Sequence, residues 1–355
     1  MRSAYSTWIG SARRTSAQEL AAATFRLREI GIASAFGLAV VFFSIRAPHF
    51  LTSGNWQNIL QNVSIVVVVA VGEMMVVLTR NIDLSVGSIV GLAAYLTAAT
   101  FNHHHDYPIV VVALIAIAIG SGLGLVNGLL VAVGRIPSII ATLATLGIYR
   151  GIDTEITGGK NITAYQLPNR FLDLASTKPA GVPTLAWIAL GVTLVGAAVL
   201  RWAPWARDFY ALSSNPDAAR FAGIPTIRRV ITAFVISGAL AGLGGFMFAA
   251  RFPTLDAVSA KGFELDVITA VVIGGVNVFG GSGSVLGVVL GALFVATIQD
   301  GFILLRVSEF WRLFFNGLAI VVAVTLNALL TRRLQGVLRR RKADVLEARH
   351  RQAEA

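Results

Sequence analysis

Cysteine is missing altogether from this chain of 355 residues. That excludes a disulfide framework, a thiolate metal site and a cysteine nucleophile. Charge is scarce too, with Asp, Glu, Lys and Arg making 13% of the residues, against roughly 25% in an ordinary soluble domain. Histidine numbers five. Three of these, His103 to His105, sit together beside Asp106 in a short polar loop with no further ligand cluster, so an exposed loop explains them better than a metal. Paired acids, Ser/His/Asp arrangements and zinc spacings do not stand out in the polar loops, which leaves a membrane enzyme little to work with. "GGSGS" at Gly280 to Ser284 looks like a phosphate cradle, but no Lys-Ser or Lys-Thr follows it. Nucleotide hydrolysis is therefore not expected on this chain, and neither is a cofactor or a metal.

What is abundant is apolar surface: 55% of the residues are hydrophobic and the mean hydropathy is +0.74. A helix needs about 20 apolar residues to cross a bilayer, because unpaired backbone groups cannot be left in lipid. The chain offers about ten such runs, which predicts an all-α polytopic membrane protein. They are read at 29–46, 62–79, 84–101, 108–133, 136–152, 184–200, 229–250, 266–280, 284–300 and 313–331, the second and eighth being short.

The net charge of +11 would suggest nucleic acid in a soluble protein. Here it reads as orientation. With the amino terminus inside, residues 1–28, the loop 201–229 and the tail 332–355 are cytoplasmic and hold most of the 29 lysines and arginines. Arg332, Arg333, Arg339 to Arg341 and Lys342 directly follow the last run. Three parts result: a cytoplasmic segment 1–28, a membrane domain 29–331 and a basic cytoplasmic tail 332–355.

The two long loops differ in kind. Ile152 to Pro183 is extracytoplasmic, of mixed charge and rich in turn formers, and suits a docking surface. Arg201 to Arg229 is basic and contains "RDFYALSSNPDAARFAGIPTIRR". A short helix is predicted in it: Asn215 caps, Pro216 takes the first helical position, Asp217 favours the positive end, and Gly223 with Pro225 ends it. Such a helix, held outside the bilayer between two spans, needs a partner.

"LTRNIDLSVGS", Leu78 to Ser88, places three strongly polar residues between two apolar runs. A helix ending near Thr79 and another starting near Leu84 leave carbonyls and amides to satisfy, and Arg80, Asn81, Asp83 and Ser85 supply partners. The interval is either an ordinary surface turn or a helix break set within the membrane and lining a pathway. Glu73 stands alone in "VGEMMVV" and must face a cavity, find a partner or carry a proton. A similar sequence surrounds Gly281, "NVFGGSGSVLGVVLGALFVAT", which includes Asn277; the likeness is either a duplicated element or chance similarity between segments rich in Gly, Ala and Val. Glycines recur at fours in Gly87-Gly91, Gly120-Gly124-Gly128, Gly238-Gly242 and Gly283-Gly287-Gly291, the small-residue pattern of close helix packing.

Four of these segments, in this order, resemble the permease subunits of bacterial sugar-type ATP-binding cassette importers, the ribose, xylose, rhamnose and autoinducer-2 group. They are "LTRNIDLSVGS", "GRIPSIIATLATLGIYRG" at Gly134 to Gly151, "NPDAARFAGI" at Asn215 to Ile224, and "ELDVITAVVIGGVNVFGGSGSVLGVVLGA" from Glu264. The resemblance runs from about Asn55 to Asn327 and is closest to the rhamnose and autoinducer-2 branch. It implies a type II importer-like permease without enzymatic activity, in the inner membrane, paired with an identical or paralogous second permease. It also implies two cytoplasmic ATPase subunits and a periplasmic binding protein. By this likeness the 201–229 loop is the coupling segment, with Asn215, Ala218, Ala219, Arg220, Gly223 and Ile224 contacting the ATPase. Glu73, Arg80, Asn81, Asp83, Ser85 and Asn277 are candidates for the helix break or translocation path. One departure is Ser213-Ser214, where many relatives carry glycine-containing pairs. The rival reading is a secondary transporter driven by an ion gradient, which Glu73 alone supports.

Overall fold

The computed structural model describes residues 29–252, 254–277, 282–308, 310–311, 313–322 and 325. Residues 1–28 and the tail 332–355, both read as cytoplasmic, lie outside the described residues. The elements run α1 (Glu29–Arg46), α2 (Ser53–Val77), α3 (Val86–His103), α4 (Ile109–Ala132), α5 (Ser138–Thr157), β1 (Ile162–Thr163), α6 (Asn169–Ser176), α7 (Thr184–Trp202), α8 (Pro204–Ser214), α9 (Pro216–Phe221), α10 (Thr226–Arg251), β2 (Thr254–Leu255), α11 (Phe263–Ile273) and α12 (Val285–Leu304). A last apolar helix, α13, is described over Leu313–Val322.

Six of the described helices, α1, α2, α4, α7, α10 and α12, are long and apolar enough to cross a membrane. α3 serves as an interior helix. It is buried along nearly its whole length between α10, α5 and α4, so its polar Thr and Asn residues need not meet lipid. Around the central α2, α3 and α10 pack α4, α7, α11 and α12, while α1 stays peripheral, touching the bundle where Phe43 meets Gly301 and Phe302.

Several boundaries depart from the hydropathy reading. α2 is not short: it begins at Ser53, capped by the Thr52 hydroxyl on the Asn55 amide at 3.3 Å, and its first turns carry polar residues that mask the start. α5 runs on to Thr157, where Gly158 at φ +53 ends it, so the following loop starts later than Ile152. α11 stops at Ile273, well before residue 280.

The loop after α5 is also less of a free surface than its composition suggests. β1 pairs antiparallel with β2, Ile162 opposite Leu255. α6 drives Phe171, fully buried, between Phe101 of α3 and Phe246 of α10, with ring centroids 4.6 and 5.3 Å away. Part of this loop is thus a wedge that closes the end of the bundle opposite α8 and α9.

The seam of α4 and α10 has backbone against backbone. A Cβ added at Gly124 would run into the Phe234 carbonyl, and one at Gly120 into that of Gly238. The glycines at fours are therefore required by contact distance, as small-residue packing demands.

Candidate functional site

On the side of the molecule that carries α8 and α9, the α2–α3 break is built in two layers. The turn itself closes on backbone: Arg80 N–H donates to Val77 O at 2.9 Å and Asn81 N–H to Val76 O at 3.3 Å, the paired bonds that end a helix with one left-handed residue. That residue is Arg80, at φ +62. Asn81 Nδ2 donates to the Thr79 carbonyl and hydroxyl at 3.0 and 2.9 Å.

Behind the turn lies a polar knot with no exposure to solvent. Asp83 Oδ1 accepts from Ser85 N–H at 2.9 Å and Ser85 Oγ–H at 2.6 Å, opening α3. Asn127 of α4 donates through Nδ2 to Ser85 Oγ at 2.7 Å and Asp83 Oδ2 at 3.2 Å, while its own Oδ1 accepts from Tyr149 OH at 3.1 Å. Asp83, Ser85, Asn127 and Glu73 are all wholly buried. Glu73 finds its partner here, accepting the Asp83 amide through Oε1 at 3.0 Å. α5 completes the knot: Ile82 N–H donates to Ser138 Oγ at 3.3 Å and Leu84 N–H to Thr142 Oγ1 at 3.1 Å. Irregular backbone buried in this way is what a break inside a membrane bundle requires, since protein groups rather than lipid satisfy it.

Of the six candidates at the break, Glu73, Asp83 and Ser85 share this knot. Arg80 points the other way: Nε donates to Ser213 O at 2.6 Å and Nη2 to Ser214 O at 3.1 Å. It thus satisfies the carbonyls of α8, not those of α2. Asn277 lies in the second break, its N–H donating to Ser282 O at 2.8 Å; residues 278–281 of that break lie outside the described residues.

The segment 201–229 forms two helices before α10 where one was predicted. α9 starts and stops as read from its residues. Asn215 Oδ1 accepts from the Asp217 and Ala218 amides at 3.1 and 3.0 Å, and Gly223 at φ +78 ends the helix, with Ile224 N–H returning to Ala219 O at 3.0 Å. α8 precedes it, burying Ala206, Phe209 and Leu212. Asn215, Ala218, Arg220 and Gly223 are exposed and Ile224 partly so, whereas Ala219 is buried and cannot touch another protein. A cavity of about 750 Å³ opens between this segment and the break, lined by Thr79, Arg80, Arg135, Ser138, Pro216 and Arg220 among others.

Sequence reasoning missed Asn127, Tyr149 and Phe221. Asn127 is a polar residue in an otherwise apolar run, the same signal that marked Glu73. Phe221 is 93% exposed at the end of α9, and nothing in its local sequence separates an exposed phenylalanine from a buried one.

A family described as "Branched-chain amino acid transport system / permease component" matches residues 55–324. The chain belongs to this permease family. It is a membrane permease subunit of an ATP-binding cassette import system, in keeping with its helical membrane fold. The permease is similar to the protein named "Autoinducer 2 import system permease protein LsrC" in several bacteria. It is 36% identical to that of Salmonella typhi over 85% of this chain and 86% of the relative. Against Enterobacter sp. (strain 638) the identity is 37% over 86% and 87%, and against Escherichia coli (strain K12 / DH10B) 35% over 89% and 91%. No solved structure matches the chain.

Proposed function

We propose that this permease carries a sugar-like solute of the autoinducer-2 type across a bacterial inner membrane, with both termini cytoplasmic. A second permease copy or paralogue encloses the path, a periplasmic binding protein delivers the solute, and cytoplasmic ATPase subunits seat on α8 and α9. The solute assignment is supported by the relatives, whose names specify autoinducer-2 import.

The observation that carries the ATPase reading is the α9 knob. It is a helix capped at both ends, with Asn215, Ala218, Arg220 and Gly223 exposed and Phe221 93% bare at its tip. An aromatic ring left in water beside an arginine is the kind of anchor that fills a pocket on a partner. Glu73 Oε1 holds the Asp83 amide while Oε2 is buried without a hydrogen-bond partner among the described residues, so the uptake experiment, not Glu73, separates this reading from an ion-driven carrier.

The test is uptake of autoinducer-2 into vesicles holding the full complex, with ATP and no ion gradient. Phe221→Asp is expected to abolish co-purification of the ATPase and ATP-driven uptake while the permease keeps its melting temperature. Gly223→Val, placed at φ +78, has the same direction. Uptake by the permease alone under a proton gradient would refute the assignment.

A further inference from the structure

α8, rather than α9, is the element tied to the membrane bundle, and it is tied at three points. Asp208 Oδ2 accepts from Arg229 Nε at 2.7 Å, joining α8 to the start of α10. Arg80 holds the Ser213 and Ser214 carbonyls, joining its end to the α2–α3 break. Tyr210 OH donates to Gly283 O at 3.1 Å, joining its middle to the α11–α12 break. Burial pushes the Tyr210 hydroxyl up to about 12, so it remains a donor at any physiological pH.

α11 ends with the bond pattern that ends α2: Gly275 N–H to Val272 O at 3.0 Å and Val276 N–H to Val271 O at 3.2 Å. Its left-handed position is filled by glycine, Gly275 at φ +81, the residue that enters this region without strain. The α2 end places arginine there instead, against the local preference of the backbone. Arg135 at φ +56 and Arg306 at φ +55 also take left-handed positions at helix ends, so what sets Arg80 apart is the reach of its guanidinium to α8.

We propose that Arg80 and Tyr210 are positioning residues that transmit movement of the α8–α9 segment to the two helix breaks at once. The ties run through side chains of different length and chemistry, so each can be cut alone. This rests on the reading of α8 and α9 as the ATPase seat, while the ties themselves can be tested without it.

The first experiment uses the purified permease alone, in detergent, followed by amide hydrogen exchange. Arg80→Ala is expected to speed exchange about tenfold or more at residues 81–85 and 213–216. Tyr210→Phe is expected to do so at residues 282–287 and leave 81–85 alone. Unchanged exchange in both variants would overturn the proposal. The second experiment uses the reconstituted complex with autoinducer-2. Each variant is expected to keep ATPase assembly and ATP hydrolysis within about twofold of wild type while uptake falls about tenfold, and Arg80→Lys to recover part of it. Full uptake in the double variant, or loss of ATPase assembly in either single one, would overturn the transmission role. Should exchange respond as expected while the wild-type complex shows no ATP-driven uptake, the functional reading fails and the ties stand.

Discussion

The two helix breaks of this permease end their first helices in the same way and are then filled by opposite means. Behind Arg80 the space is occupied by side chains: Asp83, Ser85, Asn127 and Glu73, joined by hydrogen bonds across α2, α3 and α4. Behind Gly275 the backbones themselves close the gap. A Cβ at Gly287 would run into the Gly274 carbonyl, and one at Gly291 into that of Ala270. The first break is held by directional bonds whose partners could be exchanged; the second is held by contact that leaves no room for a different arrangement.

Asn127→Leu should separate them most. It removes the buried bonds to Asp83, Ser85 and Tyr149, leaving Asp83 to Ser85 and the Tyr149 hydroxyl to the Leu123 carbonyl at 2.9 Å, and about 3 kcal/mol of stability should be lost with them, read as a lower melting temperature in detergent. A loss no larger than that of an exposed substitution would mean that the knot adds little. Next come the two serines that precede the second helices. Ser85→Ala removes a wholly buried hydroxyl bonded to Asp83 and Asn127 and should cost about 2 kcal/mol, whereas Ser284→Ala removes the cap on the Gly287 amide and a part-buried bond to Glu29 of α1 and should cost about 1 kcal/mol. Equal melting temperatures for the two variants would erase the difference. The smallest effect is expected from the left-handed position itself. Gly275→Ala should cost about 1 kcal/mol. Arg80→Gly relieves the backbone and should melt near the wild type, even though it gives up the grip on α8. A marked loss on Arg80→Gly would show that this grip is a main support of the fold.

The membrane helices were legible because lipid demands long apolar runs, and those runs are visible residue by residue. Their ends were legible only where a cap or glycine stood at the right place, as at Asn215 and Gly223. At α2 the polar turns "SGNWQN" face protein and solvent rather than lipid, so hydropathy placed the start nine residues late. Thr154 and Glu155 hid the end of α5 in the same manner. The break was legible as a demand for hydrogen bonds in "LTRNIDLSVGS", but the supply was not. Asn127 lies 44 residues from Asp83, Tyr149 lies 22 from Asn127, and Ser213 lies 133 from Arg80. Local sequence cannot announce pairings of that span, because they exist only once helices are packed. For the same reason Arg80 was assigned to its own helix end rather than to α8.

The glycine seam between α4 and α10 bears on how the whole molecule can respond. Helices that meet through side chains can slip past each other by rotamer changes; helices whose carbonyls rest on each other's Cα atoms have nothing to give. α10 starts one residue beyond Pro225, at the foot of the α8–α9 segment, and reaches the wedge at Phe246 at its other end. With its backbone seated on that of α4, a displacement of its foot would draw both helices as one beam.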